Sequence, residues 1–127
     1  MMHTDQDKEL VALSERVIGA AFEVSNVLGI GFLEKVYERA MCRELQLCGL
    51  HVACQERIKV FYKDECVGDY LAGLVVERRL IVEIKCVEGF ADEHLAQYLN
   101  YLRATSIRVG LLLNFQHPKL QIKRVSL

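Results

Sequence analysis

Proline occurs once, at Pro118, and the sequence has no Gly/Ser-rich tract, no repeat and no low-complexity segment. These absences exclude fibrous, solenoid and linker-divided organisations, so residues 1–127 are expected to form a single domain. A chain of this size buries about two-thirds of its unfolded surface, enough for a core without staples. No apolar run approaches the ~20 residues of a membrane span; Leu71–Val76 and Val109–Leu113 are among the longest. The opening residues, MMHTDQDKEL, are polar and acidic with no apolar signal region, so secretion is not expected. The expectation is a cytoplasmic protein with no membrane partner.

The cysteines, Cys42, Cys48, Cys54, Cys66 and Cys86, include no CxxC pair. Together with His3, His51, His94 and His117 they do not supply the four closely spaced ligands of a structural zinc site. An odd cysteine count without a leader predicts free thiols in a reducing compartment. Acidic residues are missing altogether from 101–127, which holds Arg103, Arg108, Lys119, Lys123 and Arg124. Such a segment is either a solvated face that offsets acids elsewhere or a surface facing a phosphate backbone. The net charge of −1 and 52% hydrophobic content also permit a homodimer.

What is present reads as two helices followed by a sheet. Thr4 and Asp7 make a helix start, and Leu10, Leu13, Val17, Ala21, Val24 and Leu28 recur at helical spacing. Gly29 and Gly31 end that helix. Leu33, Val36, Tyr37, Ala40 and Met41 mark a second, closed by Gly49. Residues 51–62 and 66–76 are rich in β-branched and aromatic side chains around the turn Lys63-Asp64-Glu65. Glu77-Arg78-Arg79 turns into a strand Leu80–Val87, then come a helix over 91–104 and strands over 107–115 and 120–125. The order α-α-β-β-β-α-β-β predicts an α/β fold with a mixed sheet flanked by helices.

Three pairs of residues could carry chemistry. In Leu80–Val87, Glu83 and Lys85 alternate onto one sheet face opposite Leu80, Val82, Ile84 and Cys86. A carboxylate can hold a hard cation while an ammonium beside it positions a water; the bland alternative is a surface ion pair of little energy. Glu34 and Tyr37 are neighbours on the second helix, where Glu34 could simply complement the helix dipole and Tyr37 pack in the core. Gln97 and Tyr101 share a face of the later helix and could reach a phosphate or a base, or merely form an amphipathic edge.

The motifs G-x-x-E-x-x-Y at Gly31–Tyr37, E-I-K at Glu83–Lys85 and Q-x-x-x-Y at Gln97–Tyr101 occur in order. In this the chain resembles the GxxExxY family of the PD-(D/E)XK nuclease-like superfamily, from about Val17 to Val125. The resemblance implies a restriction-endonuclease-like αβββαβ core with an extra N-terminal helix and C-terminal strand. It also implies phosphodiester hydrolysis with Mg²⁺ or Mn²⁺, and nucleic acid as partner. By that resemblance Glu83, the Ile84 carbonyl and Glu34 hold the metal, Lys85 organises the water, and Gln97 and Tyr101 border the cleft.

The sequence departs from the family at two points. Gly68-Asp69-Tyr70-Leu71-Ala72-Gly73 places Gly73 where the family has its metal-binding aspartate, and Ser25 stands where a histidine is usual. Regular alternation would put Asp69 and Glu77 on the strand face of Gly73, but each lies about 13 Å along the strand. The metal site is therefore expected to be weak or absent, and Gly73→Asp to restore a second carboxylate beside Glu83. Two functions follow: a nuclease of weak or lost activity, or a catalytically inactive nucleic-acid- or protein-binding module on the same fold.

Overall fold

The computed structural model describes residues 4–127. Helix α1 (Asp5–Leu28) starts at a capping box, in which the Thr4 hydroxyl accepts from Asp7 N–H and the Asp7 carboxylate accepts from Thr4 N–H. Both bonds satisfy amides that the first turn leaves orphaned. Leu13, Val17, Ala20, Ala21 and Val24 are its buried stripe, and Gly29 ends it at φ 70°. Helix α2 (Glu34–Leu47) buries Tyr37, Met41 and Leu45, one residue per turn. Tyr37 is the latch between the two helices. Its hydroxyl donates to the Gly29 carbonyl at 2.6 Å, and its ring stacks on Phe115 at 4.7 Å.

Strands β1 (Val52–Tyr62), β2 (Glu65–Val76), β3 (Leu80–Lys85), β4 (Val109–Asn114) and β5 (Gln121–Ser126) follow, with α3 (Asp92–Thr105) between β3 and β4. They form one sheet in the order β1-β2-β3-β4-β5, so β3 is central. Only the β3–β4 pair is parallel, as the helical crossover requires. The β1–β2 hairpin closes on Lys63 and Asp64, both at positive φ, the two-residue turn whose twist matches that of the strands. Architecture and element order are those expected from sequence: α/β, with a mixed sheet between helices.

Two cores sandwich the sheet. Leu74, Val76, Leu80, Val82, Ile84, Leu111 and Leu113 pack with α1 and α2. Val75, Ile81 and Leu112 pack on the other side with Tyr98 and Leu102 of α3. Tyr98 is fully buried, and its hydroxyl donates to the Ile81 carbonyl. A Cβ at Gly110 would collide with that hydroxyl and lie 2.6 Å from the Ile81 carbonyl oxygen. Gly110 is the cradle that lets α3 seat on the sheet.

The strand expected over Leu80–Val87 stops at Lys85. Beyond it, Cys86 N–H donates to the Glu34 carboxylate, and the Val87 backbone bonds to the side chain of buried Asn114 through both its N–H and its carbonyl. Those side chains satisfy groups that a longer ladder would otherwise have paired. The cysteines also depart from expectation. Cys42 of α2 and Cys54 of β1 form a disulfide, leaving Cys48, Cys66 and Cys86 free. The two partners are 12 residues apart in sequence. Proximity across an α2–β1 contact cannot be read from that spacing. Five free thiols are therefore not what the fold contains, and cysteine usage does not point to a reducing compartment. Among the described residues no helix is long and apolar enough to cross a membrane.

Gly110→Ala is expected to lower stability by about 1–3 kcal/mol, the usual cost of overpacking a filled core. Urea denaturation of the variant beside Gly19→Ala, whose Cβ meets nothing within 4 Å, checks it.

Candidate functional site

One rung of the β1–β2 hairpin decides the geometry of the site. Below it, Val52 packs with the α1/α2 core and Ala53 with the α3 core; on β2, Leu74 and Val76 lie on the α1/α2 side and Val75 on the α3 side. Above it, Ile58 and Ala72 face α3, so the even-numbered positions have changed sides on both strands. The change falls where Gln55, at φ 57°, stands opposite Gly73, between the Cys54–Leu74 and Glu56–Ala72 pairs. Left-handed backbone at a single residue is a known way to re-aim a strand. Asp69 and Glu77 are thus separated by a change of face and do not both share one with Gly73, as unbroken alternation had suggested.

At the same rung β2 leaves β3. Their pairing covers Leu74–Val82, Val75–Ile81 and Val76–Leu80 and ends there. Glu83 and Lys85 thus sit on the half of β3 that is laddered on one side only, to β4. As expected from sequence they share a face, with Lys85 Nζ 3.9 Å from Glu83 Oε1. Glu83 Oε2 accepts from the Gly73 N–H at 3.4 Å. The side chain of Glu83 is only 14% exposed. Burial pushes its carboxyl up to about 7, against the opposing pull of Lys85 and the Gly73 amide, with Glu34 and Glu38 adding a smaller upward push.

Glu34 stands at the first turn of α2 and caps the end of β3 through Cys86 N–H at 3.2 Å. It is close enough for its charge to act on Glu83. Tyr101 is buried and Gln97 exposed, one turn apart on α3. Both line a cleft under the distal hairpin, where the Tyr70 and Tyr101 rings are 6.1 Å apart. Burial, then the charges of Glu83 and Tyr70, raise the Tyr101 phenol above its ordinary value. Of the five side chains singled out from sequence, Lys85, Glu34 and Tyr101 act on Glu83 at the outer half of β3, while Gln97 lies one turn from Tyr101 on the cleft wall of α3. Sequence reasoning passed over Tyr70, Phe61 and Lys59, which complete the cleft. The only signal for them was their place in a strand whose alternation breaks.

The acid-free segment does not make one surface. Lys123 and Arg124 are consecutive on β5 and so face opposite sides of the sheet, while Arg103 bonds Asn100 on α3. Arg124 instead joins Arg78, Arg79 and Arg108 around a cleft at the other end of the sheet, where Arg79 is paired to Glu9.

A family model described as the PD-(D/E)XK nuclease superfamily matches residues 11–125. The chain belongs to the PD-(D/E)XK nuclease superfamily. Its fold is also similar to a solved protein titled "Crystal structure of SSO0001", with a TM-score of 0.56 at 15% identity. That match covers 89% of this chain and 56% of the other, so the chain spans a little over half the length of that protein. No protein of curated function matches the sequence.

Nucleases of this superfamily typically use divalent metal ions, and the residues around Glu83 do not fit one. Among the described residues, no three His, Cys, Asp or Glu side chains are grouped to hold a metal. Glu83 is the one carboxylate buried beside Lys85, and its Oε2 is taken up by a backbone amide. Hard cations of the Mg²⁺ type are held by sets of oxygen ligands, whereas Glu83 has a lysine and a backbone amide as its near partners. Gly73 does not hold a place for a second acid either. A Cβ there would point along the sheet into β3, 2.5 Å from the Val82 carbonyl oxygen and 3.4 Å from Glu83 Cα. Gly73→Asp therefore does not simply restore a ligand: the backbone must first move.

Two outcomes follow. Gly73→Ala and Gly73→Asp are both expected to destabilise the chain by about 1–3 kcal/mol through the same backbone clash, which paired denaturation curves in chelator would show. A large loss confined to the aspartate would instead mean charge repulsion with Glu83. The second outcome concerns pH. Because the folded Glu83 carboxyl titrates at about 7 against 4.5 for its ordinary value, the folded state holds more protons between those limits. Stability from this group therefore falls as pH rises from about 4.5 to 7, by an amount on the order of 3 kcal/mol. Glu83→Gln is expected to flatten that slope and to be more stable than wild type at pH 8, as measured by unfolding curves across pH.

Proposed function

We propose that this chain is a GxxExxY-type member of the superfamily that keeps a nucleic-acid-binding fold while its metal-dependent phosphodiester hydrolysis is weak or lost. The observation that carries this reading is the pairing of Glu83 with a glycine. At the rung where the family resemblance calls for a second carboxylate, Glu83 meets only the Gly73 N–H. A metal would have to displace this contact and bind at a single buried carboxylate. Glu34 is the nearest further acid by its effect on Glu83, but one of its oxygens already caps β3. Removing an anionic ligand from a site that uses one or two costs several kcal/mol of transition-state stabilisation, or thousands-fold in rate.

Gln97 and Tyr101 line the cleft under the hairpin and Lys85 stands beside Glu83 on β3, and none of them needs a metal to contact a phosphate or a base. We assign Lys85 to phosphate contact and Gln97 and Tyr101 to the cleft wall. The test is titration calorimetry with Mg²⁺ and Mn²⁺, followed by incubation with single- and double-stranded DNA and RNA. Expected are no saturable metal binding below millimolar concentration and no cleavage above that of Glu83→Gln. Metal-dependent cleavage that Glu83→Gln abolishes would overturn the loss of activity. It would make Glu34 the ligand to substitute next.

A further inference from the structure

The distal half of the β1–β2 hairpin reaches past β3 and arches over α3. The space between them is a cleft of about 700 Å³ lined by Lys59, Phe61, Tyr70, Gln97, Asn100 and Tyr101, among others. That volume lies inside the range of sites that hold a small organic group, roughly 300–1,000 Å³. Phe61 is 63% exposed and Tyr70 46%, both large side chains with apolar rings. The α3 wall adds Gln97, whose amide makes no hydrogen bond among the described residues, and Asn100, whose Oδ1 accepts from Arg103 and whose amide nitrogen stays free to donate. Lys59 at the hairpin edge takes part in no ion pair among the described residues, whereas its neighbour Arg57 is held by Asp69 at 2.8 Å.

We infer that this cleft binds an unpaired nucleobase of single-stranded nucleic acid, stacked on Tyr70 and Phe61, with the free amides on its edge and Lys59 on its phosphate. The inference rests on the nucleic-acid reading above and adds the strandedness of the ligand. Three features select this occupant. The exposed rings offer π-faces, which every base can stack on whatever its identity. Primary amides present both a donor and an acceptor, the complement of a base edge and not of an aliphatic side chain. A cleft roofed by one hairpin admits a single base but not a base pair still stacked between neighbours.

The experiment is fluorescence anisotropy in chelator at low salt. Its probes are labelled single strands of DNA and of RNA, the matching duplexes, and a single strand carrying abasic sites. Tyr70→Ala and Phe61→Ala test the rings, Tyr70→Phe keeps the ring without its hydroxyl, and Lys59→Gln tests the phosphate contact. Circular dichroism confirms that each variant is folded; the substituted side chains are exposed.

Expected are single strands of either sugar binding more tightly than duplex, and about tenfold weaker binding for Tyr70→Ala, with Tyr70→Phe near wild type. The abasic strand should behave toward wild type as the normal strand does toward Tyr70→Ala. Lys59→Gln should reduce the salt slope by about one phosphate contact while Tyr70→Ala leaves the slope unchanged. Duplex binding as tight as single strand, with the aromatic variants unaffected, would overturn the cleft assignment and leave the nucleic-acid reading standing. Failure to bind any of the probes would overturn both.

Discussion

The contact between the Gly73 amide and the Glu83 carboxylate is the point on which the rest of the site turns. Gly73 lies where both hairpin strands change faces and where β2 stops pairing with β3. Had β2 continued alongside β3, Glu83 and Lys85 would lie inside a full ladder and the hairpin would lie flat in the sheet. Instead the carboxylate occupies the gap left by the missing rung, and the hairpin is free to rise over α3. A residue with a Cβ meets the Val82 carbonyl there, so glycine is what allows the strands to part at this angle.

The electrostatics follow from the same geometry. Glu83 is enclosed by Tyr98, Tyr101 and the departing strand, so its charge is poorly hydrated, and one amide and one ammonium at 3.9 Å only partly offset that. A second carboxylate with a bound cation would stabilise the ionised form far more. Without them the protein holds a carboxyl whose proton comes and goes near neutral pH. Around it, among the described residues, stand uncharged rings and amides rather than a set of further carboxylates. That is why the aromatic and amide side of the cleft, rather than the carboxylate side, is the part of the site best equipped to meet a ligand.

Tertiary fastening is concentrated near the same rung. The Cys42–Cys54 disulfide ties α2 to β1 one residue before Gln55, and Glu34 of α2 caps the end of β3. A bridge closing a loop of this size is worth up to about 3 kcal/mol. On the other face, Tyr98 pins α3 to Ile81 over Gly110, and Asn114 ties the segment after β3 to β4. Beyond the last rung shared with β2, the outer end of the central strand is thus held by side chains from two elements, α2 and β4.

Periodicity and capping in the sequence determined the element order, the two amphipathic helices and the shared face of Glu83 and Lys85. These depend on contacts within a few residues, where side-chain direction follows from local backbone geometry. The ordered motifs likewise placed Glu34, Gln97 and Tyr101 among the candidates. Only the tertiary structure decided the rest. That Cys42 meets Cys54, that Lys123 and Arg124 part company, and that Tyr70 and Phe61 join α3 all depend on packing between distant segments. The turn-over at Gln55 and Gly73 is the clearest case. Alternation is a rule of unbroken strands, and a single left-handed residue facing a glycine cancels it for everything beyond, so the direction of the hairpin was invisible until the strands were laid side by side.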